Sequence, residues 1–272
     1  MMSSVSREAY GAASERLTAD TASASAEQLA AVADEILSVA GLLRAQIPLR
    51  RALTDPSRPG EDRAELLRSL VAGKVGETTV NAVAALVAGR HAKPGALLDS
   101  TERLGVEALL AAAARDDKLA EVEDELFRFG QIVAGSPSLD VTLSDANAPT
   151  AQRVKLVQDL LLSKAHRVTE RLVEVALDGF GGRGFAASLN RLIELTASKR
   201  DRDVAYVTVA KPLTEADEQA LGAKLATLYG REVSLKVDVN PSVLGGVSVR
   251  IGSDLYDGTI LRRLNAAKQA FA

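Results

Sequence analysis

The segment GFGGRGF at 179–185 is the stretch of this sequence that looks most like a chemical device, with four glycines in seven residues. Glycines cradle a phosphate when they lie between a strand and a helix N-terminus. Here helical periodicity flanks the segment on both sides and no Gly-Lys-Ser/Thr follows, so an interhelical turn is the reading. His91 and His166 have no acid at triad or metal-ligand spacing and read as surface or turn residues. The acidic run EVEDE at 121–125 could offer carboxylates to a cation, but Val122 and Leu126 recur at helical spacing and make it the solvated face of a helix. Gly245-Gly246 could be a catalytic turn; positive φ or close backbone approach before a strand explains it better. Arg262-Arg263 suits an acidic partner helix or simply the negative end of a helix dipole. The chain has no Cys, which removes disulfides, thiolate metal sites and a Cys nucleophile together. No acid, base and nucleophile converge, so the chain is expected to be no enzyme, with no catalytic residue, cofactor or metal site.

The elements behind these residues are mostly helical. The 272 residues are 47% hydrophobic and 25% charged, enough for packed cores and, at about 100–200 residues per domain, for roughly two domains. Aromatics are 3% and there is no Trp. Ala, Leu and Val dominate, a composition suited to helix-on-helix packing. Thirty-three Lys and Arg against 36 Asp and Glu leave a net charge of -3, so the basic excess a nucleic-acid partner demands is missing. The N-terminal segment MMSSVSREAYGAASERL has no signal-peptide core and carries Glu8 and Glu15, which transit peptides avoid. No stretch is long and apolar enough to span a bilayer. Contact with a membrane system is expected only through partners, with no direct insertion.

An internal repeat organises the chain. A shift of 90 residues aligns QLAAVADEILSVA with KLAEVEDELFRFG and continues without a gap, giving 16 identities over the 61 positions 29–89. Chance in this composition would give about six. The identities include Glu35 with Glu125, Asp55 with Asp145, Arg63 with Arg153, Lys74 with Lys164 and Thr79 with Thr169. Most other pairs match apolar with apolar, as a shared helical core requires. In the first copy Leu29, Val32, Ile36, Val39 and Leu43 form one stripe behind a capping box from Ser25 to Gln28. A break follows at TDPSRPGED, then stripes through Leu66 and Leu70 and through Val80, Val83 and Val87. The second copy repeats this order, and a helix over about 96–114 joins the two.

Near residue 204 the period changes from helical to alternating. VAYVTVA and VSLKVDV read as strands around a helix capped by Thr214 and ended by Gly230. A third strand, VSVRI, a turn at Gly252 and a closing helix, TILRRLNAAKQAF, complete a small module. The expected fold is mainly α: two tandem copies of a multi-helix bundle (1–105 and 106–200) and a small α/β C-terminal module (201–272). The segment SKRDRD at 198–203 is the expected hinge.

The tail VNPSVLGGVSVRIGSDLYDGTILRRLNAAKQAF closely resembles the C-terminal signature of the ATP synthase delta family, the oligomycin-sensitivity-conferring protein family of mitochondria. Leu244, Gly245, Gly246, Asp257, Leu261, Arg262 and Leu264 carry the signature, and the resemblance covers residues 106–272. Family members usually have one helical domain, whereas this chain has two. The resemblance implies a non-catalytic stator subunit that joins the catalytic head to the peripheral stalk and stops the head turning with the rotor. It implies two partners: N-terminal segments of the ATP synthase alpha subunits, held by the helical part, and the b subunit, held by the C-terminal module. It also implies a peripheral place on the cytoplasmic side of the bacterial plasma membrane. The alpha-subunit grip is expected on the first and fifth helices of each copy, carrying Tyr10, Ala13, Leu17, Val80, Val83 and Val87 in the first and Leu109, Leu110, Leu172, Val173 and Leu177 in the second. A second copy could add a second grip. A general helical-repeat adaptor binding some other partner's helices is the alternative.

Overall fold

The 90-residue repeat is a repeat of structure. In a computed structural model that describes residues 4–145, 147–162, 164–199, 203–229, 233–241, 243, 245–251 and 254–258, the first helices are α1 (Ser4–Asp20), α2 (Ala26–Ala45), α3 (Ile47–Leu53), α4 (Gly60–Val71), α5 (Glu77–Ala88) and α6 (Pro94–Arg115). Then come α7 (Leu119–Ala134), α8 (Pro137–Ser144), α9 (Thr150–Leu161), α10 (Arg167–Leu177) and α11 (Phe185–Lys199). Helices α8, α9 and α10 each begin 90 residues after α3, α4 and α5, and α6 begins 90 after α1. Helix α6 is therefore both the last helix of the first copy and the first of the second.

Several of the identities across the repeat are polar residues that tie helices together. Glu35 in α2 accepts from the Gly76 N–H (2.9 Å) and the Thr79 hydroxyl (2.6 Å) at the start of α5. Ninety residues on, Glu125 in α7 accepts from the His166 N–H (2.9 Å) and the Thr169 hydroxyl at the start of α10. Each carboxylate satisfies donors that a helix N-terminus leaves unpaired. Buried Arg63 donates to the carbonyls of Asp55, Arg58, Val87, Ala88 and Gly89, bracing the end of α5. Its counterpart Arg153 donates to the carbonyls of Leu143 and Leu177 and to Thr150 Oγ1. Lys74 and Lys164 likewise return to the carbonyls of Leu70 and Leu160.

Local signals explain the ends of these helices. Ser25 and Gln28 form the expected capping box at α2. Gly179, Gly181 and Gly182 all have positive φ and carry the chain through a 3-10 turn at Phe180–Gly182, so GFGGRG is an interhelical turn. The expected connector at 96–114 is the core of α6. Leu97, Leu104, Val106, Leu109 and Leu110 are all fully buried there, because neighbours cover the helix on several sides. The EVEDE segment departs from expectation: Glu121 and Asp124 are exposed, but Glu123 is buried and Glu125 is half-buried. Charge pattern alone does not distinguish a carboxylate that pins a helix terminus from one that faces water.

Two compact units emerge, Met1–Asn190 and Arg191–Ala272. The first copy and the second copy as far as Asn190 lie in the first unit, whose division from the second falls within α11, while the boundary expected at 105/106 falls within α6. In the second unit, strands β1 (Asp203–Val209), β2 (Val233–Val239), β3 (Val247–Ile251) and β4 (Asp254–Asp257) form a sheet of order β2-β1-β3-β4. β1 runs parallel to β2 and antiparallel to β3, and β3 is antiparallel to β4. Helix α12 (Glu215–Tyr229) links β1 to β2, and Thr214 caps it through the Asp217 N–H. Ala205, Val207 and Val209 alternate into a core with Leu225, Val233, Val249 and Ile251. Four residues are too few to announce β4 by periodicity. The expected closing helix lies outside the described residues.

Gly245 and Gly246 have φ of 109° and 88°, a conformation that excludes a β-branched side chain. Gly246→Val is expected to lower stability by more than about 1 kcal/mol, read from urea unfolding of the full chain.

A candidate docking surface on the first helical copy

Helices α1 and α5 meet along a seam of small side chains. Ala9 on α1 leaves no room at Gly89, where an added Cβ would stand 2.3 Å from the Ala9 Cβ. Ala13 and Leu17 of α1 and Val83 and Val87 of α5 are buried, which is how two short helices acquire a close, fixed packing. Tyr10 lies against α6 with the Arg103 guanidinium 4.7 Å from its ring centroid, and burial with the nearby Glu107 carboxylate raises its hydroxyl pKa. Ser14 donates to Glu107 at 3.2 Å. Outside this seam, Gly11, Ser14, Glu15, Thr18 and Ala19 line an open concavity along α1, with Tyr10 at its edge. Val80, Asn81, Ala85 and Ala88 of α5 are half-exposed.

Of the first- and fifth-helix residues singled out from sequence, only Val80 reaches the surface. Tyr10, Ala13, Leu17, Val83 and Val87 form the first copy's buried seam, and Leu109, Leu110, Leu172, Val173 and Leu177 are equally buried in the second. Apolar periodicity finds the inward side of a helix, so it selects the residues beneath the open concavity rather than Gly11, Ser14, Glu15, Thr18 and Ala19, which line it. These are small or polar and leave no periodic signal.

On the second copy, polar bonds tie α2 to the first and fifth helices, α6 and α10. Asp34 of α2 accepts from Arg171 Nε of α10 at 2.7 Å. Arg44 of α2 donates to Glu102 of α6 (2.8 Å) and to Asp178 at the end of α10 (2.9 Å). Glu102 also accepts from the Gly181 N–H at 2.8 Å. Burial raises the Glu102 pKa above the ordinary 4.5, and the Gly181 N–H and Arg44 oppose the shift without cancelling it. A carboxyl raised in the folded state stabilises fully below its unfolded pKa, and that contribution is lost as pH rises through the folded value. The stability of Glu102→Gln relative to the native chain is therefore expected to increase from pH 4.5 towards pH 7. Urea unfolding at several pH values measures this; a flat difference would contradict it.

The two histidines sit at turns, as expected. His91 precedes α6 with Nε2 2.7 Å from the Leu86 carbonyl, and His166 caps α10 by accepting from the Val168 N–H. Among the described residues, no three His, Cys, Asp or Glu side chains cluster as metal ligands, and no helix is long and apolar enough to cross a membrane. Of the C-terminal signature, Gly245 and Gly246 form the turn before β3 and Asp257 falls in β4. Leu244, Leu261, Arg262 and Leu264 lie outside the described residues.

A turn of two positive-φ glycines into the third strand of a four-stranded sheet is thus in place, after the helical bundle in chain order. Residues 106–271 match the family model described as ATP synthase delta (OSCP) subunit. The chain belongs to this family. The match begins inside α6, so it takes in the second copy and the C-terminal unit. The first copy is shared with longer relatives. An ATP synthase subunit delta of Salinispora arenicola is 58% identical over 272 residues, covering all of this chain and 99% of that protein. The Salinispora tropica protein of the same name is 56% identical over 272 residues, covering 100% of this chain and 99% of its own length. That of Streptomyces griseus is 45% identical over 271 residues and 100% of both chains. The duplicated helical part is therefore part of the aligned length in these family members too.

Proposed function

We propose that the chain is a non-catalytic subunit of the F-type ATP synthase peripheral stalk. In this reading its helical unit holds N-terminal segments of the catalytic-head alpha subunits. Its C-terminal unit holds the b subunit, so that the head does not turn with the rotor during proton-driven ATP synthesis. The chain then works peripherally, on the cytoplasmic side of the bacterial membrane. The observation that carries the reading is full-length similarity to proteins named ATP synthase subunit delta. The open α1 stripe, with Tyr10, Ala13, Leu17, Val80, Val83 and Val87 supporting it or bordering it, is the alpha-subunit contact in this reading. It suits a helix laid into a shallow groove.

The test is made on inverted membrane vesicles from cells lacking the chain. Such vesicles should hydrolyse ATP without acidifying their interior, and adding the purified full chain should restore ATP-driven proton uptake. Normal proton uptake without the chain would refute the proposal.

A further inference from the structure

We infer that the second helical copy adds no second grip of the same kind: its first-helix face is covered by α2 of the first copy, whereas the same side of α1 is open. This rests on the reading above, in which that face takes one helical segment of an alpha subunit.

The two copies provide the comparison. Gly11, Ser14, Glu15, Thr18 and Ala19 line the open concavity on α1. Their equivalents 90 residues on are Thr101, Leu104, Gly105, Ala108 and Leu109 of α6, and all five are buried. The same side of the repeating helix is small and polar where it is open and mostly apolar where it is covered.

The cover is α2. Where α1 carries the Glu15 carboxylate, α6 has Gly105, and a Cβ added there would lie 2.8 Å from two carbon atoms of Leu37 and 3.4 Å from Ile36. The two helices thus approach as closely as the absence of a side chain permits. Helix α2 is also pinned to the fifth helix of the second copy by Asp34 with Arg171 and by Arg44 with Asp178. It spans the pair α6 and α10, whereas the corresponding side of α1 is open. One helix cannot be the last of one bundle and also keep a free docking face as the first of the next. Sharing α6 joins the copies without a linker and removes one docking face. It also moves the open face out of the segment that matches the family model, 106–271, and into the added copy.

Titration of the full chain with a synthetic N-terminal segment of the alpha subunit from the same source, by calorimetry and amide hydrogen exchange, tests the inference. One equivalent should bind, with protection gained in α1 and α5 and none in α6 or α10. Thr18→Arg, on the exposed side of α1, should weaken binding at least tenfold while its circular dichroism stays native. Two equivalents, protection in α10, or undiminished binding by Thr18→Arg would overturn the inference while leaving the functional reading intact. Absence of heat and of protection at every ratio would overturn the functional reading and the inference together.

Discussion

Cutting the chain between residues 105 and 106 is expected to leave its helical part unable to melt cooperatively in either fragment. The cut falls in the middle of α6, beside Leu104 and Val106, both fully buried. The N-terminal fragment would lose Val106, Leu109, Leu110 and Ala113 from its last helix. At about 1.5–3 kcal/mol for each large side chain, that loss approaches the whole of the about 5–15 kcal/mol that holds a domain folded. The C-terminal fragment would begin with half of its first helix. A cut after Asp117, whose φ of 56° marks the turn out of α6, should act differently. The fragment 1–117 keeps every helix of the first copy and should melt as one transition, whereas 118–272 lacks the first helix of the second copy. Far-UV circular dichroism and calorimetry of the four fragments decide the matter. A cooperative transition in 1–105 like that of 1–117 would show that α6 is not shared in this way.

Arg63→Ala should be among the costliest single substitutions, at about 3–5 kcal/mol. The guanidinium is buried and donates to five carbonyls, three of them at Val87, Ala88 and Gly89, where α5 runs out of its own donors. Alanine would leave those acceptors without their donor and remove a cation from the negative end of the helix. Lysine cannot repair this, because one ammonium has three donors and no planar fork. Arg153→Ala should cost less, about 2–3 kcal/mol, since Arg153 donates to only two carbonyls and one hydroxyl. Chemical unfolding of both variants provides the comparison. Equal and small losses would mean that the arginines follow the fold rather than hold it.

These arginines also show what can be read before a structure. Arg63 with Arg153 and Glu35 with Glu125 stood out as identities across a 90-residue shift, and the helical bundles, the Ser25 capping box, the glycine turn and three strands followed from period and composition. Their roles did not follow, because a buried charge is announced by its partners, and most of those partners are backbone groups with no sequence signature. The sharing of α6 was hidden for a related reason. A helix apolar on several sides reads the same whether one bundle surrounds it or two. The open stripe on α1 was the hardest to see, since Gly11, Ser14, Thr18 and Ala19 are defined by what does not cover them. Comparison of α1 with α6 supplies that information, and only once the helices are in register.

The measurement closest to the central claim is recovery of partners by the full chain from a lysate of its own source, identified by mass spectrometry. The ATP synthase alpha and b subunits should be recovered together, with alpha lost and b retained when Thr18→Arg is the bait. Recovery of an unrelated complex without either subunit would contradict a stator role and leave the duplicated helical fold to serve some other partner.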